Sequence, residues 1–283
     1  MNAMQAYPLF SILIANYNNG KYLQESIDSV FAQRYPNWEV ILVDDGSTDE
    51  SSAIYEKYQS DSRFHIYYNG TNRGCAYTKH QCVLHAQGDY CGYLDPDDVL
   101  LPNALEVAYG LLTSEPDVAL TFSRYYFCDE KLNIVKESRP LVLKDNESYF
   151  EHRDYRAEVF AGFSRAAYMK MGGLDLTCRA GVDADLYFRL EEVGKLKISH
   201  EITYKYRIFP SSITGNWNKA FYWNLIIRHN TCIRRGLPVE EYSYRDFLQH
   251  LSFSHWETRP YRLGKLILNP KSWIAYKKGQ KKK

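Results

Sequence analysis

Leu9–Ala15 reads LFSILIA, and Trp38–Val43 reads WEVILV before running into Asp44-Asp45-Gly46-Ser47-Thr48-Asp49. Each is a short, continuous apolar run, the pattern of a strand buried on both faces. Between them, Asn19–Gln33 places Tyr22, Leu23, Ile27, Val30 and Phe31 at helical spacing. A buried strand, a helix and a second buried strand within 35 residues form a parallel strand–helix–strand unit.

The alternation continues on both sides of that unit. Asp49–Gln59 reads as a helix opened by Ser47 or Thr48 as cap, Phe64–Tyr68 as a strand and Arg73–Ala86 as a helix. Tyr90–Leu94 is a fourth strand ending in an acidic turn, followed by a helix over Pro102–Leu112 and a strand over Val118–Phe122. The expected fold class is α/β, a mainly parallel sheet covered by helices, with ligands outside the carboxyl ends of the strands. From Asp129 to Arg156 the period is lost, and a partly ordered loop or an antiparallel hairpin is expected. Ser164–Met171 and Asp183–Val193 read as helices, and Ile198–Phe209 as one or two strands. Beyond Asn216 the chain is aromatic and helix-prone over Trp217–Ile233, Tyr242–Trp256 and Leu263–Lys278. The division expected is therefore a ligand-binding domain over 1–215 and a helical extension over 216–283.

Composition removes several function classes. Of the 283 residues, 45% are hydrophobic and 24% charged, as in ordinary globular proteins and unlike disordered chains. No apolar run approaches the roughly 18 residues of a spanning helix, and the first ten residues lack a signal-peptide pattern, so a cytoplasmic protein is expected. Glu257–Lys283 holds nine basic residues and one acidic, and that +8 within a total of +1 leaves −7 on the other 256 residues. An acidic body argues against nucleic acid as a partner. The basic tail, with Leu263, Leu266, Trp273 and Ile274 among its lysines, suits either peripheral contact with an anionic membrane or a packed terminal helix. The six cysteines form no C-x-x-C pair, so reduced, mostly buried thiols are expected.

Three acidic clusters fall at strand ends or helix starts. In Asp44-Asp45-Gly46-Ser47, either carboxylate can meet a ligand, although the same residues build turns. Asp95-Pro96-Asp97-Asp98 crowds three carboxylates into four residues, which a hard divalent cation would offset. Gly181-Val182-Asp183-Ala184-Asp185 opens a helix, where acidic residues favour the macrodipole and a single carboxylate can act as general base.

SILIANYN, VDDGSTDES, NRGCAYTK, YLDPDD and MGGLD…GVDADLYFRL, in that order, resemble the motifs of family 2 glycosyltransferases over roughly residues 8–215. The resemblance implies a GT-A fold, an α/β/α sandwich that binds a nucleotide-sugar donor with Mn2+ or Mg2+ and inverts the anomeric carbon. It implies that Asn16 and Tyr17 lie where the nucleotide base packs and that Asp45 pairs with base or ribose. Arg73 and Lys79 fall near the family's basic position, which contacts base or diphosphate. Asp95 and Asp97 match the D-x-D pair, with Asp97 the more direct metal ligand. Asp183 matches the catalytic base, with Asp185 beside it as second choice. The implied acceptor is a saccharide or lipid-linked saccharide, in bacterial cell-surface polysaccharide synthesis. Three positions depart from the family pattern: Val182 where Glu is frequent, Phe209 where His is frequent, and Thr78-Lys79-His80 in place of Ala-Arg-Asn. The first two leave open a non-catalytic nucleotide-sugar-binding or scaffold protein on the same fold.

Overall fold

The apolar runs become the inner strands of one sheet. The computed structural model describes residues 7–144, 147–152, 159–209 and 217–244. They fall into two compact units, Met1–Ser212 and Ile213–Lys283.

In the first unit the strands are β1 (Phe10–Asn16), β2 (Trp38–Asp44), β3 (Phe64–Tyr68), β4 (Tyr90–Tyr93), β5 (Val99–Leu100), β6 (Val118–Cys128), β7 (Ile134–Glu137), β8 (Gly162–Ser164) and β9 (Lys195–Arg207). The helices are α1 (Gly20–Phe31), α2 (Ser51–Glu56), α3 (Cys75–His85), α4 (Ala104–Leu112), α5 (Arg165–Lys170) and α6 (Val182–Glu191). The sheet runs β3-β2-β1-β4-β8-β6-β9-β5, with β7 also pairing to β6.

Strands β3, β2, β1 and β4 are mutually parallel, as the apolar runs imply. Beyond β4 the sheet is mixed: β8 is antiparallel to β4 and β6, β9 is parallel to β6, and β5 is antiparallel to β9. Strand β6 runs past the expected Phe122 as far as Cys128, and β7 folds back on it. The aperiodic stretch after Asp129 thus begins as the hairpin alternative. Asn16 stands level with Asp44, and Asp44 with Tyr68, so the carboxyl ends of β1, β2 and β3 share one edge.

Phe10, Ile12, Ile14, Val40 and Leu42 are fully buried in the cluster that also holds Leu23, Ile27 and Leu105. Each such side chain contributes about 1.5–3 kcal/mol of transfer free energy, which fixes the strands and therefore the turns at their ends. The thiols are free, Cys75 being exposed and the other five buried.

The second unit contains α7 (Trp217–Arg235) and a π-helical turn over Glu240–Tyr244. Arg228 ties them by donating from Nε and Nη2 to the Tyr242 carbonyl at 3.1 and 2.9 Å. The expected helix over Leu263–Lys278, most of the one over Tyr242–Trp256, and the basic tail lie outside the described residues.

Candidate active site

The turn after β2 is built by its own carboxylates. Asp44 Oδ1 accepts from the backbone N–H groups of Gly46 and Ser47 at 2.9 and 2.8 Å, and Oδ2 accepts from the Tyr55 hydroxyl at 2.6 Å. Burial, followed by that bond to Asp44, holds the Tyr55 hydroxyl protonated far beyond the usual range. Asn16 is fully buried and donates to Tyr55 Oη at 2.6 Å and Ser51 Oγ at 2.9 Å, pinning the end of β1 to α2.

Asp45 is also buried, and both of its oxygens are engaged. They accept from Asn69 Nδ2, Arg73 N and Gly74 N, each at 2.8 Å. Gly46 has φ +81°, and a Cβ there would stand 3.1 Å from the backbone of Thr71 and Asn72. The β2 turn and the loop entering α3 are therefore packed backbone to backbone. On the rim of this turn, Tyr17 is half-exposed and the exposed Arg73 guanidinium lies 4.4 Å from the Tyr77 ring centroid.

The turn after β4 is different. Asp95–Asp98 is held by Arg207 at the end of β9, at one backbone carbonyl and one carboxylate. Arg207 donates from Nε to the Asp97 carbonyl at 2.6 Å and from its backbone N–H to Asp98 Oδ1 at 2.7 Å. Its other nitrogens reach the Glu130 carbonyl and, at 2.6 Å, Glu25 Oε2. No side-chain donor among the described residues reaches the Asp97 carboxyl. Burial first, and the Asp95 charge second, push it up to about 6. Burial with Asp97 and Asp95 raises Asp98 well above the carboxylate range.

Lys79, from the middle of α3, reaches the same place from the other side. Its Nζ lies 2.7 Å from Asp183 Oδ1, 3.2 Å from Asp95 Oδ1 and 4.8 Å from the Tyr93 ring centroid. Burial by itself would lower this ammonium, but Asp183 and Asp95 more than offset it and hold its pKa well above the lysine value. Two carboxylates from separate motifs thus meet around one cation.

Asp183 sits in the first turn of α6, entered through Gly181 in the left-handed region at φ 68°. Its side chain is 38% exposed. Asp185, the second choice, is buried and committed elsewhere. It accepts from Arg189 Nε at 2.7 Å and from the Asp175 N–H at 2.8 Å, shaping the loop ahead of α6. Val182 is buried, and Phe209 lies against Tyr22 with ring centroids 5.2 Å apart.

The donor set suits a hard divalent cation. Asp95 and Asp97 offer carboxylate oxygens, and among the described residues no cation stands at hydrogen-bond distance from the Asp97 carboxyl. Among the described residues no three His, Cys, Asp or Glu side chains converge as a complete ligand set. The chain offers a two-carboxylate platform of the kind that oxygens of a bound diphosphate complete.

Sequence reasoning did not single out Arg207, and noted in its neighbourhood only the departure from the family pattern at Phe209. It also passed over Arg179, whose Nη1 is 3.6 Å from where a Cβ on Gly74 would stand. The signal for Arg207 was its place at the end of a strand expected to enter the sheet.

The comparisons with known proteins agree with this fold. Residues 11–172 match the model of glycosyl transferase family 2. The chain is 32% identical over 209 residues to an uncharacterized glycosyltransferase of Methanocaldococcus jannaschii, MJ1057, covering 71% of each protein. Its fold is similar to Staphylococcus aureus TarS 1–349 in complex with UDP-GlcNAc, with TM-score 0.68 and 16% identity over 93% of this chain and 76% of that one. It is also similar to the mannosyltransferase PcManGT of Pyrobaculum calidifontis in complex with GDP-Man and Mn2+, with TM-score 0.62 and 15% identity over 92% and 83% of the two chains. With that family match over more than half its length, the chain belongs to glycosyl transferase family 2.

Proposed function

We propose that this glycosyltransferase moves a sugar from a nucleotide-sugar donor, a UDP-sugar first, to a hydroxyl of a saccharide or lipid-linked saccharide with inversion at the anomeric carbon. The observation that carries the reading is the meeting of Asp95 and Asp183 around Lys79, which sets a half-exposed carboxylate beside a platform for a metal-bound diphosphate. Complexes of similar folds with UDP-GlcNAc, and with GDP-Man and Mn2+, support the donor class and the metal.

Asp95 and Asp97 would hold the divalent ion, Mn2+ or Mg2+, which would supply electrostatic stabilisation of the departing diphosphate. Arg207 keeps their turn in place through its bonds to the Asp97 carbonyl and the Asp98 carboxylate. Tyr17 and Arg73 form the exposed rim that meets the nucleotide, while Asn16 and Asp45 set the backbone beneath it. Asp183 accepts the proton of the acceptor hydroxyl as its oxygen bonds to the anomeric carbon. The bond to the diphosphate oxygen breaks on the opposite face, and its electron pair leaves with the nucleoside diphosphate. No general acid is needed for that leaving group. The presence of Asp95, Asp97 and Asp183 together favours catalysis over a scaffold role, in spite of Val182 and Phe209.

Cell-surface polysaccharide synthesis at the inner face of the membrane, with the basic tail as a peripheral contact and 216–283 as an extension to a catalytic 1–215, completes the proposal. Among the described residues no helix is long and apolar enough to cross a membrane. A panel of UDP-sugars and GDP-mannose, assayed for nucleoside diphosphate release with and without Mn2+, tests the reading. One UDP-sugar should be consumed in a metal-dependent way, and proton NMR of the product should show an inverted anomeric centre. Consumption of no donor under any metal condition refutes it.

A further inference from the structure

Lys79 stands where two functions meet. Asp95 belongs to the turn after β4 and Asp183 to the first turn of α6, and Lys79 Nζ lies 3.2 and 2.7 Å from them. Among the described residues no other cation pairs with either carboxylate. The lysine side chain is 6% exposed, and its ammonium also faces the Tyr93 ring at 4.8 Å. Tyr93 closes the arrangement by donating its hydroxyl to the Lys79 carbonyl at 2.8 Å. The cation is thus held by a helix, a strand end and an aromatic wall, and does not swing freely as a surface lysine does.

An ammonium is a compact charge with three donors, able to hold two carboxylates but without the planar fork of a guanidinium. We propose that Lys79 is a positioning residue that fixes Asp183 relative to Asp95 and, by its charge, opposes the divalent cation at the same Asp95 carboxylate. The inference rests on the reading of Asp95 as a metal ligand and Asp183 as the base. It has a consequence that simple structural support lacks. Removing the lysine charge should tighten metal binding while slowing transfer, because a repelling charge leaves the metal site as the base loses its anchor.

The test is Mn2+ titration of the full-length wild type, Lys79→Met and Lys79→Arg, followed by the paramagnetic resonance signal of free Mn2+, together with kcat and donor KM. Lys79→Met should bind Mn2+ about 3- to 10-fold more tightly, as expected for loss of one nearby charge in a partly screened site. Its kcat should fall about 100-fold, the scale of a misplaced catalytic group, with donor KM changed far less. Lys79→Arg should keep wild-type Mn2+ affinity and recover most of kcat. Should Lys79→Met melt early, Lys79→Gln, also uncharged, carries the same Mn2+ expectation. Unchanged or weaker Mn2+ binding in the uncharged variants, or wild-type kcat, overturns the inference while leaving an active wild type as a glycosyltransferase. A wild type that binds neither Mn2+ nor nucleotide overturns the inference and the functional reading together.

Discussion

Two acidic turns at the edge of the same sheet have opposite characters. After β2, Asp44 accepts two backbone N–H bonds and one hydroxyl bond, and Asp45 accepts two backbone N–H bonds and one side-chain amide bond, so that their charge is spent on the fold. After β4, among the described residues, Asp95 meets only Lys79 as a cation, and the Asp97 carboxyl meets no side-chain donor. A carboxylate saturated by backbone donors stabilises a turn, while carboxylates crowded without donors are held for a cation that comes with the ligand. The same residue type at equivalent places in the topology thus does structural work in one loop and is set for chemistry in the other.

The sharpest break of this contrast lies at Asp183. Replacing it by Asn should lower kcat by 1,000-fold or more on the general-base scale of about 10²–10⁴, while calorimetric donor affinity stays within about twofold. Loss of donor affinity in parallel would move Asp183 out of the base role. Asp97→Asn should come next, weakening Mn2+-dependent UDP binding by about 10- to 100-fold, the range seen when a metal site loses a supporting group. Its thermal stability without metal should not fall, because Asp97 gives the turn only its backbone carbonyl.

Asp45→Ala should show the reverse pattern. It strands three donors at the entrance to α3 and should cost about 2–3 kcal/mol in urea unfolding, with nucleotide affinity falling as the loop loosens. A stable Asp45→Ala protein that has lost only nucleotide binding would show that Asp45 acts on the ligand directly.

The smallest effect is in pH. The Asp97 carboxyl, raised to about 6, binds its proton more readily in the folded chain than in the unfolded one. Its contribution to stability is therefore present at low pH and lost as pH rises through about 6. In metal-free protein, unfolding at pH 5 and pH 7 should show a relative gain of about 1–2 kcal/mol at pH 5 that Asp97→Asn removes. Comparison with that variant isolates this group from Asp95, Asp98, Lys79 and Arg207 around it. In the presence of Mn2+ the sign reverses for binding, and UDP affinity should weaken below about pH 6.

The parallel half of the fold was legible because β1 and β2 are continuous apolar runs flanked by turn formers, a pattern only doubly covered strands require. Strands β5 and β8, of two and three residues, carry no period to read. They exist because longer neighbours offer them ladder partners. The carboxylates of the site were legible as motifs, whereas Lys79 was legible only as a cation expected at base or diphosphate, not as the partner of Asp95 and Asp183. What each carboxylate touches was not legible. Asn16 gave no sign that its amide is buried against Tyr55 and Ser51, and Asp185 no sign that Arg189 one turn later would claim it. Arg207 was hard to read for a further reason: besides the Asp98 and Glu25 carboxylates it recognises the backbone carbonyls of Asp97 and Glu130, which leave no trace in side-chain chemistry.

The contrast between the two turns is tested most directly by calorimetric titration of UDP into the purified protein with and without Mn2+, beside GDP as control and with Asp97→Asn in parallel. The account predicts UDP binding that depends on Mn2+, exceeds that of GDP, and is largely lost in Asp97→Asn. Binding of neither nucleotide under any metal condition, or UDP binding indifferent to both Mn2+ and Asp97, would contradict it.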